Sequence, residues 1–358
     1  MSSLFTPVKL GALELENRMV MAPMTRGRAG ESRTPNDIMA DYYGQRASAG
    51  LIITEATPVS AQGYGWNGAP GVYADAHEAG WKLTTDAVHA KGGVIALQLW
   101  HTGRVSHPDF LDGETPVGPS PIAAAGESHT PLGKKPYVTP RELDADELPG
   151  IAEDFAKGAE RAMRAGFDAV EVHCANGYLL DQFLRDGSNQ RTDEYGGSIQ
   201  NRVHFPMSVI QAVVDVAGSD RVGVRVSPSN PFNDMQDSDS MALFTHFAQE
   251  LNSLNLAYLH VMEPFSDQHP FFSPGNYHSP TLREAFDGHL MINGGYDAES
   301  GAKALDDDLA DSVAYGVPYI ANPDLVRRYR EGISLSAPDP TTFYTPGPEG
   351  YNDYPPAD

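Results

Sequence analysis

Residues 167–185 read Phe-Asp-Ala-Val-Glu-Val-His-Cys-Ala-Asn-Gly-Tyr-Leu-Leu-Asp-Gln-Phe-Leu-Arg and join an apolar run to an amphipathic one through a polar turn. The apolar run around Val170 predicts a short buried strand, and the run after Tyr178 predicts the start of a helix. The turn between them carries His173 and Asn176, three residues apart, and then Tyr178. Strand, turn and helix in this order form the basic unit of an α/β fold.

The three polar side chains of this turn have complementary chemistry. His173 and Asn176 are neutral donors that can converge on one acceptor oxygen. The Tyr178 phenol stays protonated near neutral pH, because its ordinary pKa is about 10. Two donors that polarise an oxygen, with a separate proton donor, are what addition to an electron-poor double bond requires. The alternative is that His173 and Asn176 only satisfy backbone groups at the end of a strand.

Seven further apolar runs occur along the chain, and patterns of helical period separate them. Most lack polar alternation, which is typical of parallel strands buried on both faces. The eight predicted strands are Arg18–Met24, Leu51–Ala56, Val94–Trp100, Ala169–His173, Val222–Val226, Ala257–Met262, Leu290–Asn293 and Ser312–Tyr315. Helices with one apolar face are predicted at Asp144–Ala165, Ser198–Val216, Ser238–Leu254 and Asp297–Leu309.

Eight strand–helix units predict an α/β protein that forms a single (β/α)₈ TIM barrel over residues 1–358. A doubly wound sheet is the alternative, but no Gly-x-Gly-x-x-Gly pattern follows the first strand. Residues 1–17 predict an N-terminal hairpin with Gly11 at its turn. The stretch 101–139 is long and rich in Pro and Gly, so we expect it to cap the barrel mouth after strand three. Residues 338–358 predict an irregular tail.

The composition limits the classes of function. With 48 acidic against 25 basic residues, the formal net charge is −23, which disfavours nucleic acid and anionic membranes as partners. The single cysteine, Cys174, excludes an internal disulfide and an iron–sulfur cluster held by the cysteines of one chain. The N-terminus shows no secretory pattern, and no apolar run is long enough to span a membrane. We therefore expect a soluble, cytoplasmic protein, and a homo-oligomer is compatible with the sequence.

The polar turn from His173 to Tyr178 continues as Leu-Leu-Asp-Gln-Phe-Leu-Arg-Asp-Gly-Ser-Asn-Gln-Arg-Thr-Asp-Glu-Tyr-Gly-Gly-Ser. This long run resembles the old yellow enzyme family of flavin-dependent ene-reductases, and the resemblance extends from Leu4 to Tyr354. It implies bound FMN, NADPH or NADH as hydride donor, and reduction of the activated C=C bond of an enone, a nitroalkene or a similar small molecule. It also implies that His173 and Asn176 hold the substrate oxygen and that Tyr178 protonates the α-carbon.

The same resemblance implies where FMN binds. The Thr25 hydroxyl would lie near the flavin O4, Gln98 would pair with the pyrimidine edge, and Arg225 would face the N1–C2 edge. The implied cofactor-binding residues are Pro23, Met24, Thr25, Ala56, Gln98, Arg225, Asn293, Gly294, Gly295, Gly316 and Val317. The residues alone leave open that Thr25 belongs to a turn and that Arg225 forms a structural ion pair.

We expect the phosphate of such a cofactor on backbone amides after strands seven and eight. Gly295 and Gly316 permit close approach to an anion, although a plain tight turn also explains glycines there. Where the family has an arginine after the strand-eight glycine, this chain has Val317, so a charged contact is missing and we expect weaker FMN retention. A second departure is Cys174, in place of a common glycine, and we expect a small buried side chain between barrel and helices.

Around the substrate, the resemblance implies contacts from His173 and Asn176 and aromatic walls from Tyr64, Trp100, Phe232 and Tyr351. The sequence alone leaves Trp100 open as a core residue. Two other functions stay open: a catalytically weak flavin-binding barrel, and a cofactor-free barrel lyase. The histidines lack a metal-ligand spacing such as His-Glu-x-x-His, so no metal site is predicted.

Overall fold

The computed structural model describes residues 2–264 and 277–358, and fifteen strands and ten α-helices lie within these ranges. The strands are β1 (Val8–Leu10), β2 (Leu13–Leu15), β3 (Met19–Met21), β4 (Leu51–Ile53), β5 (Thr57–Pro58), β6 (Ile95–Trp100), β7 (Val117–Gly118), β8 (Glu127–Thr130), β9 (Gly133–Pro136), β10 (Arg141–Glu142), β11 (Ala169–Cys174), β12 (Val222–Val226), β13 (Tyr258–Met262), β14 (Leu290–Asn293) and β15 (Ser312–Tyr315). The helices are α1 (Asp37–Gln45), α2 (Asp75–His89), α3 (Leu148–Arg164), α4 (Leu179–Leu184), α5 (Ile199–Ala217), α6 (Ser240–Leu251), α7 (Ser279–Ala285), α8 (Ala298–Asp306), α9 (Val317–Ala321) and α10 (Leu325–Glu331).

Eight parallel strands close into a barrel. In order around it they are β3, β4, β6, β11, β12, β13, β14 and β15, and β15 pairs with β3 through Val313 opposite Met19. The predicted (β/α)₈ barrel is therefore confirmed. The first strand is shorter than predicted and ends at Met21, because Pro23 has no N–H to donate to the ladder.

Side chains alternate between the barrel interior and the helix layer. At the bottom of the interior, small and medium apolar side chains pack together, among them Val20, Ala96, Ala169 and Met291. The outward side chains of the same strands join the large cluster beneath the helices. This arrangement makes the barrel a filled core and leaves the C-terminal strand ends as the place for a site.

The helices begin and end at local signals. The Ser198 hydroxyl caps α5 by accepting from the backbone N–H of Asn201, and Asp297 and Ser300 form a capping box on α8. Helix α3 ends before Gly166, whose φ is +94°. The four helices predicted from apolar periodicity are α3, α5, α6 and α8. Within the described ranges, no helix is both long and apolar enough to cross a lipid bilayer.

Two additions flank the barrel. Strands β1 and β2 pair antiparallel across a turn at Gly11, and their leucines pack on the apolar bottom of the barrel interior. The segment after β6 is more regular than a loop, because β8 and β9 form an antiparallel hairpin and β7 pairs in parallel with β10.

The tail is irregular apart from a 3₁₀ turn at Pro340–Thr342, and two buried arginines hold it. Arg28 donates to the backbone oxygens of Thr342, at 2.8 Å, and Phe343, at 2.6 Å. Arg26 donates to the backbone oxygen of Gly350 at 2.7 Å. Both arginines follow β3, so the beginning of the barrel fixes the tail across its mouth.

Candidate active site

A first cavity of about 270 Å³ opens at the C-terminal ends of the barrel strands. It brings together these predicted site residues: Pro23, Met24, Thr25, Ala56, Gln98, His173, Asn176, Tyr178, Arg225, Phe232 and Val317. Five further lining residues were not predicted from the sequence: Arg26, Trp66, Ile320, Phe343 and Tyr344.

A second cavity of about 490 Å³ continues the first. Both are lined by Pro23, Met24, Asn176, Arg225 and Val317, and the second adds the predicted Asn293, Gly295 and Gly316. The predicted Gly294 does not line it. A Cβ at that position would lie 2.8 Å from the Cβ of Glu263, so Gly294 instead permits the close packing of β13 and β14.

The polar turn after β11 is held in a sharp conformation. Asn176 and Gly177 have φ of +59° and +76°. The Asn176 backbone N–H donates to Ser227 Oγ at 2.7 Å, and that of Gly177 donates to Asp181 Oδ2 at 2.9 Å. The Asn176 Oδ1 accepts from Asn230 Nδ2 at 2.7 Å. Because this oxygen is occupied, the side-chain N–H₂ is the part of Asn176 that remains to donate to a ligand.

His173 is a buried histidine of the first cavity. Its side chain lines the first cavity and is only 3% exposed. Burial, and after it the neighbouring Arg225 and His260, lowers the pKa of His173 well below its ordinary value. Its Nδ1 has no hydrogen-bond partner in residues 2–264 and 277–358. A buried ring nitrogen without a partner in the protein is suited to a bound molecule.

Tyr178 lies beside His173, with ring centroids 5.3 Å apart. Burial raises the pKa of Tyr178 above its ordinary value, so the phenol keeps its proton. Trp100 packs edge-to-face on Tyr178 at 4.8 Å and is almost fully buried. Trp100 is not among the residues that line the first cavity, so its contact with substrate stays a prediction.

Arg225 is a buried arginine that lines both cavities. It is 5% exposed, and its Nη2 donates to Asn293 Oδ1 at 3.1 Å. Its Nε has no partner in the described chain, and no carboxylate there forms a salt bridge with it. Burial lowers the pKa of Arg225 from its ordinary value, and the nearby Glu171 opposes this shift. A guanidinium buried without a bonded anion fits a ligand edge that carries acceptors or negative charge.

Glu171 is a fully buried carboxylate near Arg225 that was not predicted from the sequence. Glu171 Oε1 accepts from Gln98 Nε2 at 2.7 Å, and Glu171 Oε2 lies 2.8 Å from His260 Nδ1. Burial alone would raise the pKa of Glu171, but His260, Arg225 and Gln98 outweigh it and hold that pKa below its ordinary value. The available signal was strand alternation, which places Glu171 on the same face of β11 as His173.

The predicted aromatic walls are only partly in place. Phe232 lines the first cavity. Tyr64 instead lines a third cavity of about 640 Å³, where the guanidinium carbon of Arg33 lies 3.6 Å from its ring centroid. Phe110, from the segment expected to cap the barrel, also lines the third cavity, and Tyr344 lines both the first and the third.

Tyr351 lies outside the set of residues that line the expected pocket. Its ring is fully buried and stacks on Tyr42, with centroids 4.0 Å apart and planes 8° apart, and the guanidinium carbon of Arg28 lies 4.8 Å from its centroid. The ring is held by Tyr42 and Arg28 and does not line the first cavity. The tail residues that line the first cavity are Phe343 and Tyr344.

Cys174 points away from the site into the layer between barrel and helices. Burial raises the pKa of its thiol well above the ordinary value, which disfavours a reactive thiolate. In residues 2–264 and 277–358, no group of three or more His, Cys, Asp or Glu side chains is arranged to hold a metal ion.

Known proteins share this fold and much of this sequence. Residues 3–336 match the family described as NADH:flavin oxidoreductase / NADH oxidase. The chain is similar to a probable flavin mononucleotide-dependent alkene reductase of Leishmania infantum, with 45% identity over 356 residues, 98% of this chain and 96% of the relative. It is also similar to the solved old yellow enzyme homologue from Zymomonas mobilis, with a TM-score of 0.97, 44% identity and 99% of each chain covered. Morphinone reductase in complex with tetrahydroNAD has a TM-score of 0.94 and 49% identity, with 100% of this chain and 98% of that chain covered.

Proposed function

Because the chain belongs to the NADH:flavin oxidoreductase / NADH oxidase family, we propose that it binds FMN in the first and second cavities and reduces the activated C=C bond of α,β-unsaturated carbonyl or nitro compounds. The enzyme is an oxidoreductase that uses NAD(P)H. The observation that carries the proposal is the convergence of His173, Asn176 and Tyr178 with Arg225 on one cavity at the barrel mouth.

The side chains around the two cavities fit FMN. Arg225 Nε is a buried donor without a partner in the described chain, and Gln98 offers an amide to the same cavity. Such groups suit the pyrimidine edge of a flavin, which carries acceptors and one N–H. The second cavity, with Gly295 and Gly316, offers backbone approach to a phosphate.

FMN held by these residues would supply hydride transfer between NAD(P)H and the β-carbon of the unsaturated substrate. His173 and the N–H₂ of Asn176 donate hydrogen bonds to the carbonyl or nitro oxygen and stabilise the negative charge that develops there. Tyr178 donates its phenolic proton to the α-carbon. Phe232 and Tyr344 line the same cavity.

The test is a visible absorption spectrum of the purified protein under anaerobic conditions. We expect a flavin band that NADPH or NADH bleaches and that cyclohexenone restores. A band that bleaches without being restored by any enone or nitroalkene would instead favour a catalytically weak flavin-binding barrel. A protein that carries no flavin band after incubation with FMN and removal of free FMN would contradict the proposal and favour a cofactor-free lyase.

Ligand binding at His173 is expected to be independent of pH between about 6 and 8, because a pKa lowered well below 6.5 keeps the imidazole neutral throughout that window. The downward direction of the pKa shift follows from burial, which disfavours the charged imidazolium. Spectral titration of the oxidised enzyme with cyclohexenone across this range checks it. An affinity that changes tenfold with an inflection near pH 6.5 would show that His173 titrates.

We also propose that residues 1–358 act as one FMN-binding domain and that the enzyme works in the cytoplasm. Support for the domain proposal is the closed order of strands β3 to β15, with residues of the tail at the cavity. Support for the location is the single, buried Cys174, since exported proteins commonly carry disulfides.

A further inference from the structure

We propose that Glu171 is a positioning residue for the flavin: it fixes the orientation of the Gln98 amide and, beside Arg225, sets the reduction potential of the bound cofactor. The inference rests on the proposed function, since it requires FMN in the first cavity. It concerns a side chain that itself lines neither the first nor the second cavity and is 0% exposed.

The first step is the orientation of the amide. An ionised carboxylate only accepts hydrogen bonds, so the group that Gln98 turns towards Glu171 at 2.7 Å is its N–H₂. The carbonyl end of the same amide is then left for the first cavity, which Gln98 lines. The N3–H of a flavin is the one donor of its pyrimidine edge and matches an acceptor oxygen. Glu171 therefore selects which end of Gln98 the flavin meets.

The second step is the rigidity of the carboxylate. Its other oxygen lies 2.8 Å from His260 Nδ1, so partners on β6 and on β13 hold it from both sides. The register of the strands places these side chains next to one another. Glu171 is paired with Gln98 between β11 and β6, and Arg225 is paired with His260 between β12 and β13. Gln98 and His260 thus hold the carboxylate in one orientation.

The third step concerns the charges of Glu171 and Arg225 near the flavin. Arg225 lines both cavities and favours the reduced flavin, whose N1–C2 edge gains negative charge. Glu171 is a buried negative charge beside this arginine and offsets part of its field, and the low dielectric of the interior preserves the effect. Glu171 is therefore expected to hold the potential of the flavin more negative than Arg225 alone would set it.

The experiment compares Glu171→Gln with the wild-type holoenzyme by spectroelectrochemical titration of the bound flavin. The variant keeps the shape but removes the charge, and we expect a less negative midpoint potential. A tenfold gain in binding of reduced over oxidised FMN corresponds to about 30 mV for a two-electron couple. Glutamine also has only one acceptor oxygen for two donors, so we expect weaker binding of oxidised FMN to the apoprotein.

Two control variants separate the effect of Glu171 on the Gln98 amide from the effect of its charge. Glu171→Asp keeps the charge but shortens the reach to Gln98, so the potential should stay near the wild-type value while FMN affinity falls. Asp237→Asn removes another buried carboxylate, which is paired with Arg202 and lines none of the three cavities, and should leave the potential unchanged.

Equal potentials in wild-type protein and Glu171→Gln would overturn the inference, as would an equal shift in Glu171→Asp. Loss of the folded barrel in both Glu171 variants, seen by circular dichroism, would also overturn it by assigning the residue to folding. These outcomes differ from failure of the proposed function, in which the wild-type protein itself binds no flavin.

Discussion

Tyr178→Phe is expected to slow the step in which substrate reoxidises the reduced flavin by about 10²–10⁴-fold, the usual contribution of a positioned proton donor. Reduction by NAD(P)H should keep its wild-type rate, because that half-reaction needs no proton from the phenol. Burial raises the pKa of Tyr178, so the group is fully protonated and available at neutral pH. Stopped-flow absorbance of the flavin measures both half-reactions separately with one enone.

Tyr319→Phe is the matched control. It removes a hydroxyl that is also buried and lines none of the three cavities. Both half-reactions should run at wild-type rates in that variant. If Tyr178→Phe slowed the two half-reactions equally, Tyr178 would be acting on the flavin or on the fold instead of on the substrate carbon.

The second large effect is an increase in the affinity of the protein for FMN. Val317→Arg is expected to tighten FMN binding by about tenfold or more, because Val317 lines both cavities and Arg225 is the only cation that lines the second cavity in the described chain. A hydrogen bond to a charged group contributes about 1.5–3 kcal/mol, and 1.4 kcal/mol is a factor of ten. Val317 is 53% exposed, so solvent screening favours the lower end of this range.

Titration of the apoprotein with FMN, followed by quenching of flavin fluorescence, gives the dissociation constants. Val317→Met lengthens the side chain without a charge and should bind FMN as the wild type does. The gain in Val317→Arg should shrink as salt is added, because ions screen a surface contact with phosphate. Equal constants for wild type and Val317→Arg would show that backbone amides already saturate the phosphate.

The sequence predicted the repeated strands of the barrel and the features that residues close together in the chain form. The eight barrel strands follow from apolar runs, and the turn at Asn176 and Tyr178 follows from residues within one short segment. Val317 could be singled out because it departs from a family pattern at a known place. In each case the deciding residues are neighbours in the chain.

The sequence could not predict contacts that distant segments create. Tyr351 was expected in the pocket, but its position depends on Tyr42 and on the two arginines after β3. Glu171 could be assigned to the barrel interior by alternation, yet its partners Gln98 and His260 lie 73 and 89 residues away. Only the closed barrel brings these groups to one place.

The contacts of Arg26 and Arg28 with the tail also make one wall of the cavity depend on segments far apart in the chain. Arg28 reaches a carbonyl 315 residues further along the chain and Arg26 one that is 324 residues further. Contacts across such separations close large loops, which costs conformational entropy. These contacts hold in place the wall that Phe343 and Tyr344 provide. Because it depends on one peripheral segment, local opening of that segment can admit or release a ligand while the barrel stays intact.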